Sequence, residues 1–332
     1  MTDEIDYAAE YDNSARVENS DELIDNFVSD AADFRGENAD RSQLDIEYGP
    51  EVRNKLDIFW PEKTRECPIV MFIHGGYWQR LDRLAFSHMA KGLNEHDIAV
   101  AIPSYTLCPD TSIEGIINEM RRACIMLYQT YGRELTIVGH SAGGHLAACM
   151  MATDWPAIHA DLPPDLVASG MGISGVYDLM PMLKTPINDA LGLDAEAAQS
   201  SSPIRWVPDG LQQYDAWVGA DESDEFRRQS KELAERWTLL GTPTRYVSAK
   251  GYNHFTVIHP LTDSDSTMVA RILHLIGAPA IEPKLPKLSK KKIDAELEGL
   301  KKAASKKQSK EDAEPDEGEA ADTEEPETTT EV

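Results

Sequence analysis

The sequence predicts an α/β protein, a mostly parallel central sheet with helices on both faces. Three observations carry this. Between about residues 44 and 278, short near-continuous runs of Val, Ile, Leu and Met alternate with longer helix-like stretches, a pattern that suits strands covered on both faces. The runs are bounded by Gly, Pro, Asn and Asp, residues that punctuate strands. The strand–helix–strand rhythm is that of parallel strands joined by crossover helices.

The elements follow in order. Segments 44–48 and 54–60 alternate polar and apolar residues and are expected to form an antiparallel pair at one sheet edge. Strand-like runs follow at 68–73, 98–102, 135–138, 168–173, 216–218 and 245–249. Helices are expected at about 82–95, 112–131, 143–152, 224–240 and 264–277. Ahead of them, the acidic segment 17–34 is expected to be a helix packed through Leu23, Phe27 and Val28. Residues 175–212, rich in Pro, Asn and Ser, break the rhythm and read as a cap-like insertion that could cover a site. The chain thus divides into an acidic N-terminal segment on the core (1–43), the α/β domain (44–280) and a charged tail (281–332).

With 332 residues, 41% of them hydrophobic, the chain can bury one large core. Its 58 acidic residues against 32 basic ones give a net charge of −26, which argues against nucleic acid or an anionic membrane as partner. The charge is uneven. Residues 1–46 hold 14 acids and 3 bases, 283–310 hold ten lysines and three acids, and 311–332 hold 11 acids and no base. The tail has too few apolar residues to offset its ordering entropy and is expected to be disordered, apart from a short amphipathic helix near 290–308. It reads as a solvated appendage or an interaction tail of unknown partner. Four cysteines without a CxxC pair read as reduced core thiols. The N-terminus lacks a basic stretch followed by an apolar one, so a cytoplasmic location is expected. A homodimer is one assembly left open.

The sharpest motif is Gly139-His140-Ser141-Ala142-Gly143, directly between a predicted strand and a predicted helix. In that setting G-x-S-x-G marks a sharp turn that projects a nucleophilic serine at the positive end of a helix. A second motif, His74-Gly75-Gly76-Tyr77-Trp78, follows another strand. Its glycines let backbone N–H groups of Gly75, Gly76 and Tyr77 approach a reacting carbonyl and, with that of Ala142, form an oxyanion hole. Serine also needs a base oriented by an acid, in the chain order Ser, acid, His. His254, in the loop after the last strand, is the expected base, with His259 as runner-up; His74 reads as structural. The acid is expected after the run 216–218, where Glu222 is favoured and Asp221 is the runner-up. Neither a metal-ligand cluster nor a phosphate-binding glycine motif is present, so no metal and no cofactor are expected.

These residues resemble the α/β-hydrolases, and within them the arylformamidase (kynurenine formamidase) group. The His74-Gly75-Gly76-Tyr77-Trp78 element is similar to that group's form of the oxyanion motif, and Asn253-His254-Phe255 to its histidine loop. The segment from Gly219 to Ser230 is similar to its acid loop, with the acid at Glu222. Tyr105-Thr106-Leu107-Cys108-Pro109-Asp110, Tyr11-Asp12-Asn13 and Leu56-Asp57-Ile58-Phe59 add to the likeness, which spans about residues 7–278. Two departures stand out: Thr106 replaces the usual arginine, and the acid is Glu rather than Asp. The resemblance implies hydrolysis of an N-formyl aryl amide, N-formyl-L-kynurenine giving L-kynurenine and formate, with a small-molecule substrate as partner. Tyr77, Trp78, Trp206 and Phe255 are candidate walls for the aromatic group. A carboxylesterase acting on short acyl esters is the alternative. A non-catalytic binding protein on the same fold is a remote one, disfavoured because serine, acid and histidine occur in order.

Overall fold

In the computed structural model, residues 5–208 and 212–277 are described. The tail, with the helix expected near 290–308, lies outside them. Eight strands form one sheet: β1 (Ser42–Glu47), β2 (Lys55–Phe59), β3 (Ile69–Ile73), β4 (Ala99–Pro103), β5 (Leu135–His140), β6 (Val167–Ile173), β7 (Gln213–Gly219) and β8 (Thr244–Ala249). Their spatial order is β1-β2-β4-β3-β5-β6-β7-β8. β2 runs antiparallel to β1 and β4, and every other pair is parallel.

The sheet is covered on both faces, as its apolar runs require. Along β3, Ile69, Met71 and Ile73 enter one hydrophobic cluster, and Val70 and Phe72 enter the other, the two-residue alternation of a pleated strand. Helices Ile113–Tyr131, Ala142–Met151 and Asp224–Leu239 pack on the first face, and Thr267–Ile276 with the N-terminal helix Ser20–Glu37 on the second. Ser112 and Ser266 cap two of these helices by accepting from Gly115 and Val269 N–H.

Three expectations need correction. The 82–95 segment is not one helix but the short turns Arg83–Ala85, Ser87–Ala90 and Lys91–Asn94. Phe86, at φ −129°, interrupts the helical backbone and sends its ring between His74 and Phe27. In the N-terminal helix the buried face is Phe27, Ala31 and Phe34, spaced by about one turn; Leu23 is half-buried, and Val28, one residue round from Phe27, is exposed. The described part of 175–212 supplies no lining residue to the cavity over the serine, though the Ile187 carbonyl accepts from Gln79 Nε2 (3.0 Å) in the neighbouring turn. It forms short turns packed on helices Ala142–Met151 and Asp224–Leu239 through His145 Nε2 to the Ser201 carbonyl (2.7 Å) and Trp237 Nε1 to the Pro203 carbonyl (3.3 Å).

Candidate active site

Sheet register brings the two motifs together. β3 and β5 are neighbours with Ile73 opposite Gly139, so the loops leaving their C-terminal ends meet, where ligands bind in open α/β sheets. Close approach demands the motif glycines: a Cβ on Gly139 would lie 2.0 Å from the Gly143 carbonyl oxygen, and one on Gly143 would lie 1.9 Å from that of Ile73. Ser141 itself sits at φ 57°, ψ −118°, a strained backbone for a residue with a side chain. Tyr77, Trp78, Leu81 and Ser174 nearby also have positive φ.

Ser141 Oγ lies 3.1 Å from His254 Nε2, and His254 Nδ1 lies 2.7 Å from Glu222 Oε2. All three residues are buried. With the Nδ1 proton donated to the carboxylate, Nε2 is free to accept from the serine hydroxyl. The other carboxylate oxygen of Glu222 accepts from Gly219 N–H (2.6 Å) and Ser174 Oγ (2.5 Å), so the acid is held from three sides. Asp221, one residue earlier, is exposed, and its N–H donates to the Tyr252 carbonyl; the carboxylate that reaches His254 is that of Glu222. His259 is also exposed, with its ring against Phe27.

Gly75 packs against the serine, where an added Cβ would come within 2.9 Å of Ser141 Cβ. Gly76, at φ 116°, turns the chain so that its carbonyl accepts from Gln79 and Arg80 N–H. Among the described residues, no hydrogen bond uses the N–H of Gly76, Tyr77 or Ala142. Those groups remain available beside Ser141 for a developing negative charge.

A cavity of about 250 Å³ opens over Ser141, small against the roughly 300–1,000 Å³ of pockets for drug-sized molecules. Its apolar lining is Ile24, Phe27, Leu81, Phe86 and Phe255. Tyr77 and Phe255 thus line it as the sequence led us to expect. Trp78 does not: it is fully buried, edge-on to His145, because its left-handed backbone turns the indole into the core. Nor does Trp206, whose indole N–H donates to the Ser200 carbonyl and whose ring faces Arg121.

The roof is instead the N-terminal segment, with Asn13, Ser14, Asp21, Ile24 and Phe27. Tyr77 ties that roof to the oxyanion turn: its hydroxyl accepts from Asn13 Nδ2 (2.6 Å) and donates to the Tyr11 carbonyl. Further along, the Tyr11 hydroxyl donates to Glu225 (2.9 Å), which also binds Arg228. Burial pushes the Glu225 carboxyl up, but its bonds to Arg228 and Tyr11 hold it below the usual range. The helical spacing of Ile24 and Phe27 was a readable signal; what that face would cover was not.

Another missed residue is His140, the variable position of the serine motif, which lines the cavity. Its Nε2–H donates to the His254 carbonyl (2.8 Å) and its ring lies 4.8 Å from the His254 ring. Burial, then the neighbouring His254, push its basicity well down, so it is a neutral brace for the histidine loop. His74 stacks between Tyr105 (4.4 Å) and Phe86 (5.7 Å), and burial lowers its pKa to about 4. It is structural, as expected. Among the described residues no group of His, Cys, Asp and Glu is arranged to hold a metal ion.

A mostly parallel eight-stranded sheet with a serine on the sharp turn between its central strand and the next helix defines an α/β-hydrolase. The family model BD-FAE matches residues 56–209. Kynurenine formamidase of Danio rerio is 30% identical over 251 residues, covering 73% of this chain and 85% of that one; the protein of the same name from Drosophila melanogaster is 30% identical over 245 residues, covering 70% and 80%. Among solved structures, a Silicibacter protein provisionally assigned as a thioesterase is similar at 33% identity and a TM-score of 0.73, over 80% of this chain and 98% of that one. The chain belongs to the kynurenine formamidase family and is a hydrolase of the formamidase and esterase type.

Proposed function

We propose that the protein is a serine hydrolase that cleaves N-formyl-L-kynurenine to L-kynurenine and formate. The observation that carries this reading is the Ser141–His254–Glu222 hydrogen-bonded chain on the floor of a small cavity walled by Phe27, Phe86 and Phe255. The relatives named kynurenine formamidase support the choice of substrate.

Ser141 Oγ attacks the formyl carbon as its proton passes to His254 Nε2, and Glu222 stabilises the imidazolium. The oxyanion is held by the N–H groups of Gly76, Tyr77 and Ala142. His254 then protonates the departing aryl amine, and the C–N bond breaks to leave a formyl ester on Ser141. Water, deprotonated by His254, adds to that ester and releases formate and the free serine. A formyl group carries only a hydrogen on its acyl carbon, so a shallow acyl side suffices, and the aromatic wall serves the leaving group.

The Silicibacter likeness favours a second reading, ester cleavage through the same acyl-serine. Steady-state assays of the purified protein on N-formyl-L-kynurenine and on a short-chain nitrophenyl ester separate the two. The formamide should show the higher kcat/KM. Brisk ester cleavage without formamide turnover would overturn the proposal.

A further inference from the structure

The cavity over Ser141 is largely apolar, yet an arginine and an aspartate line it, Arg80 and Asp21. They come from separate parts of the chain. Arg80 ends the turn begun by Gly76, whose carbonyl accepts the Arg80 N–H (3.1 Å), so its backbone is fixed beside the oxyanion groups. Asp21 stands in the first turn of the N-terminal helix that also supplies Ile24 and Phe27 to the cavity.

Both side chains are exposed to solvent, and neither has an ion pair among the described residues. Arg53, Arg83, Arg228 and Arg271 all bond to carboxylates or carbonyls. The Arg80 guanidinium, among the described residues, instead rests over the Tyr77 ring, 5.8 Å from its centroid. That contact steadies a guanidinium while leaving its N–H edge free. The Asp21 carboxylate likewise has no ion pair among the described residues, and the two charges, though they line one cavity, do not pair with each other. An unpaired cation and an unpaired anion at the mouth of an aromatic slot match a ligand with an aryl group at one end and a zwitterion at the other.

We propose that Arg80 and Asp21 bind the α-amino-acid head of the substrate, Arg80 taking the carboxylate and Asp21 the ammonium group. This rests on the formamidase reading and deepens it by naming the residues that recognise the substrate's head group. A planar guanidinium meets a carboxylate through two parallel hydrogen bonds. The head group then anchors the far end of the molecule while its formyl group lies at Ser141.

The test compares N-formyl-L-kynurenine with ortho-formamidoacetophenone, which keeps the aryl formamide and ketone but lacks the amino acid. Wild type should prefer the first in kcat/KM by about tenfold or more, the scale of one charged hydrogen-bonding contact. Arg80→Met should reduce that preference about tenfold, mainly through KM. Arg80→Lys should restore part of it, and Asp21→Asn should reduce it less. An unchanged melting temperature verifies that each variant is folded. Equal rates on the two substrates in wild type, or a preference untouched by Arg80→Met, would overturn the head-group site while leaving formamidase activity standing. Turnover of neither formamide would overturn the formamidase reading and this site with it.

Discussion

The floor and the roof of the cavity are built on different terms. The floor comes from loops at the ends of β3, β5, β6, β7 and β8, and its key residues, Gly75, Ser141, Ser174, Glu222 and His254, are fixed by strand register, close backbone approach and buried hydrogen bonds. The roof is one acidic segment laid across the site, held by aromatic contacts such as Phe27 on Phe86 (5.8 Å) and Phe34 on Phe59 (5.4 Å) and by hydrogen bonds of Tyr11, Asn13 and Arg35, with much of its surface in solvent. The contrast separates two tasks. Chemistry needs groups placed to a fraction of an ångström, which loops leaving the ends of register-locked strands provide. Selection of a substrate needs a wall shaped to the ligand, which a segment brought from a distant part of the chain provides.

The first way to break this division is at the serine. Ser141→Ala should lower kcat about a million-fold with the fold intact, and a fluorophosphonate probe that labels the wild type should no longer label it. If labelling persists, the nucleophile is elsewhere. Next comes the acid: Glu222→Gln should cost about 10⁴-fold in kcat, because an amide no longer holds the His254 tautomer, whereas Asp221→Asn should stay within about twofold. Equal losses would put both carboxylates in the relay.

Acid should weaken both regions, because His88, whose ring lies against Phe27, is lowered by burial to about 4 as well. Burial lowers His74 and His145 to pKa values of about 4, against an ordinary value of 6.5. As pH falls through that window the unfolded chain takes up protons that the folded one refuses, so stability present above pH 6.5 is lost on the way to pH 4. The loss amounts to about 3 kcal/mol for each of these histidines. Denaturant melts at pH 7 and pH 4.5 should show it, and His145→Gln should flatten the dependence. At the roof, Phe27→Ala should cost about 3 kcal/mol and raise KM. Val28→Ala, at the next position and exposed, should stay within about 0.5 kcal/mol.

The same division explains what could be read from the sequence. Every strand was legible to within a few residues, because apolar runs and their Gly, Pro and Asp boundaries are local signals. Ser141, His254 and the Gly75-Gly76 pair were legible for the same reason: backbone crowding at a tight turn leaves few residues that fit. Glu222 and Asp221 could be separated only by seeing which carboxylate turns inward. The failures lie where distant packing decides. Trp78 and Trp206 look like pocket walls by composition, yet backbone direction sends one into the core and ties the other to Ser200. Likewise, nothing local told that the roof would be Ile24 and Phe27 rather than the Pro-rich stretch after 175, or that a single residue, Phe86, would break the expected helix.

Tyr77 belongs to both regions. Its N–H stands in the turn beside Ser141, and its hydroxyl is clasped by Asn13 and the Tyr11 carbonyl. The side chain works as a linkage rod between door and workbench. One side chain therefore makes the shape of the roof and the angle of the turn a single variable: whatever alters the seat of Asn13 and Tyr11 is felt at the backbone beside Ser141.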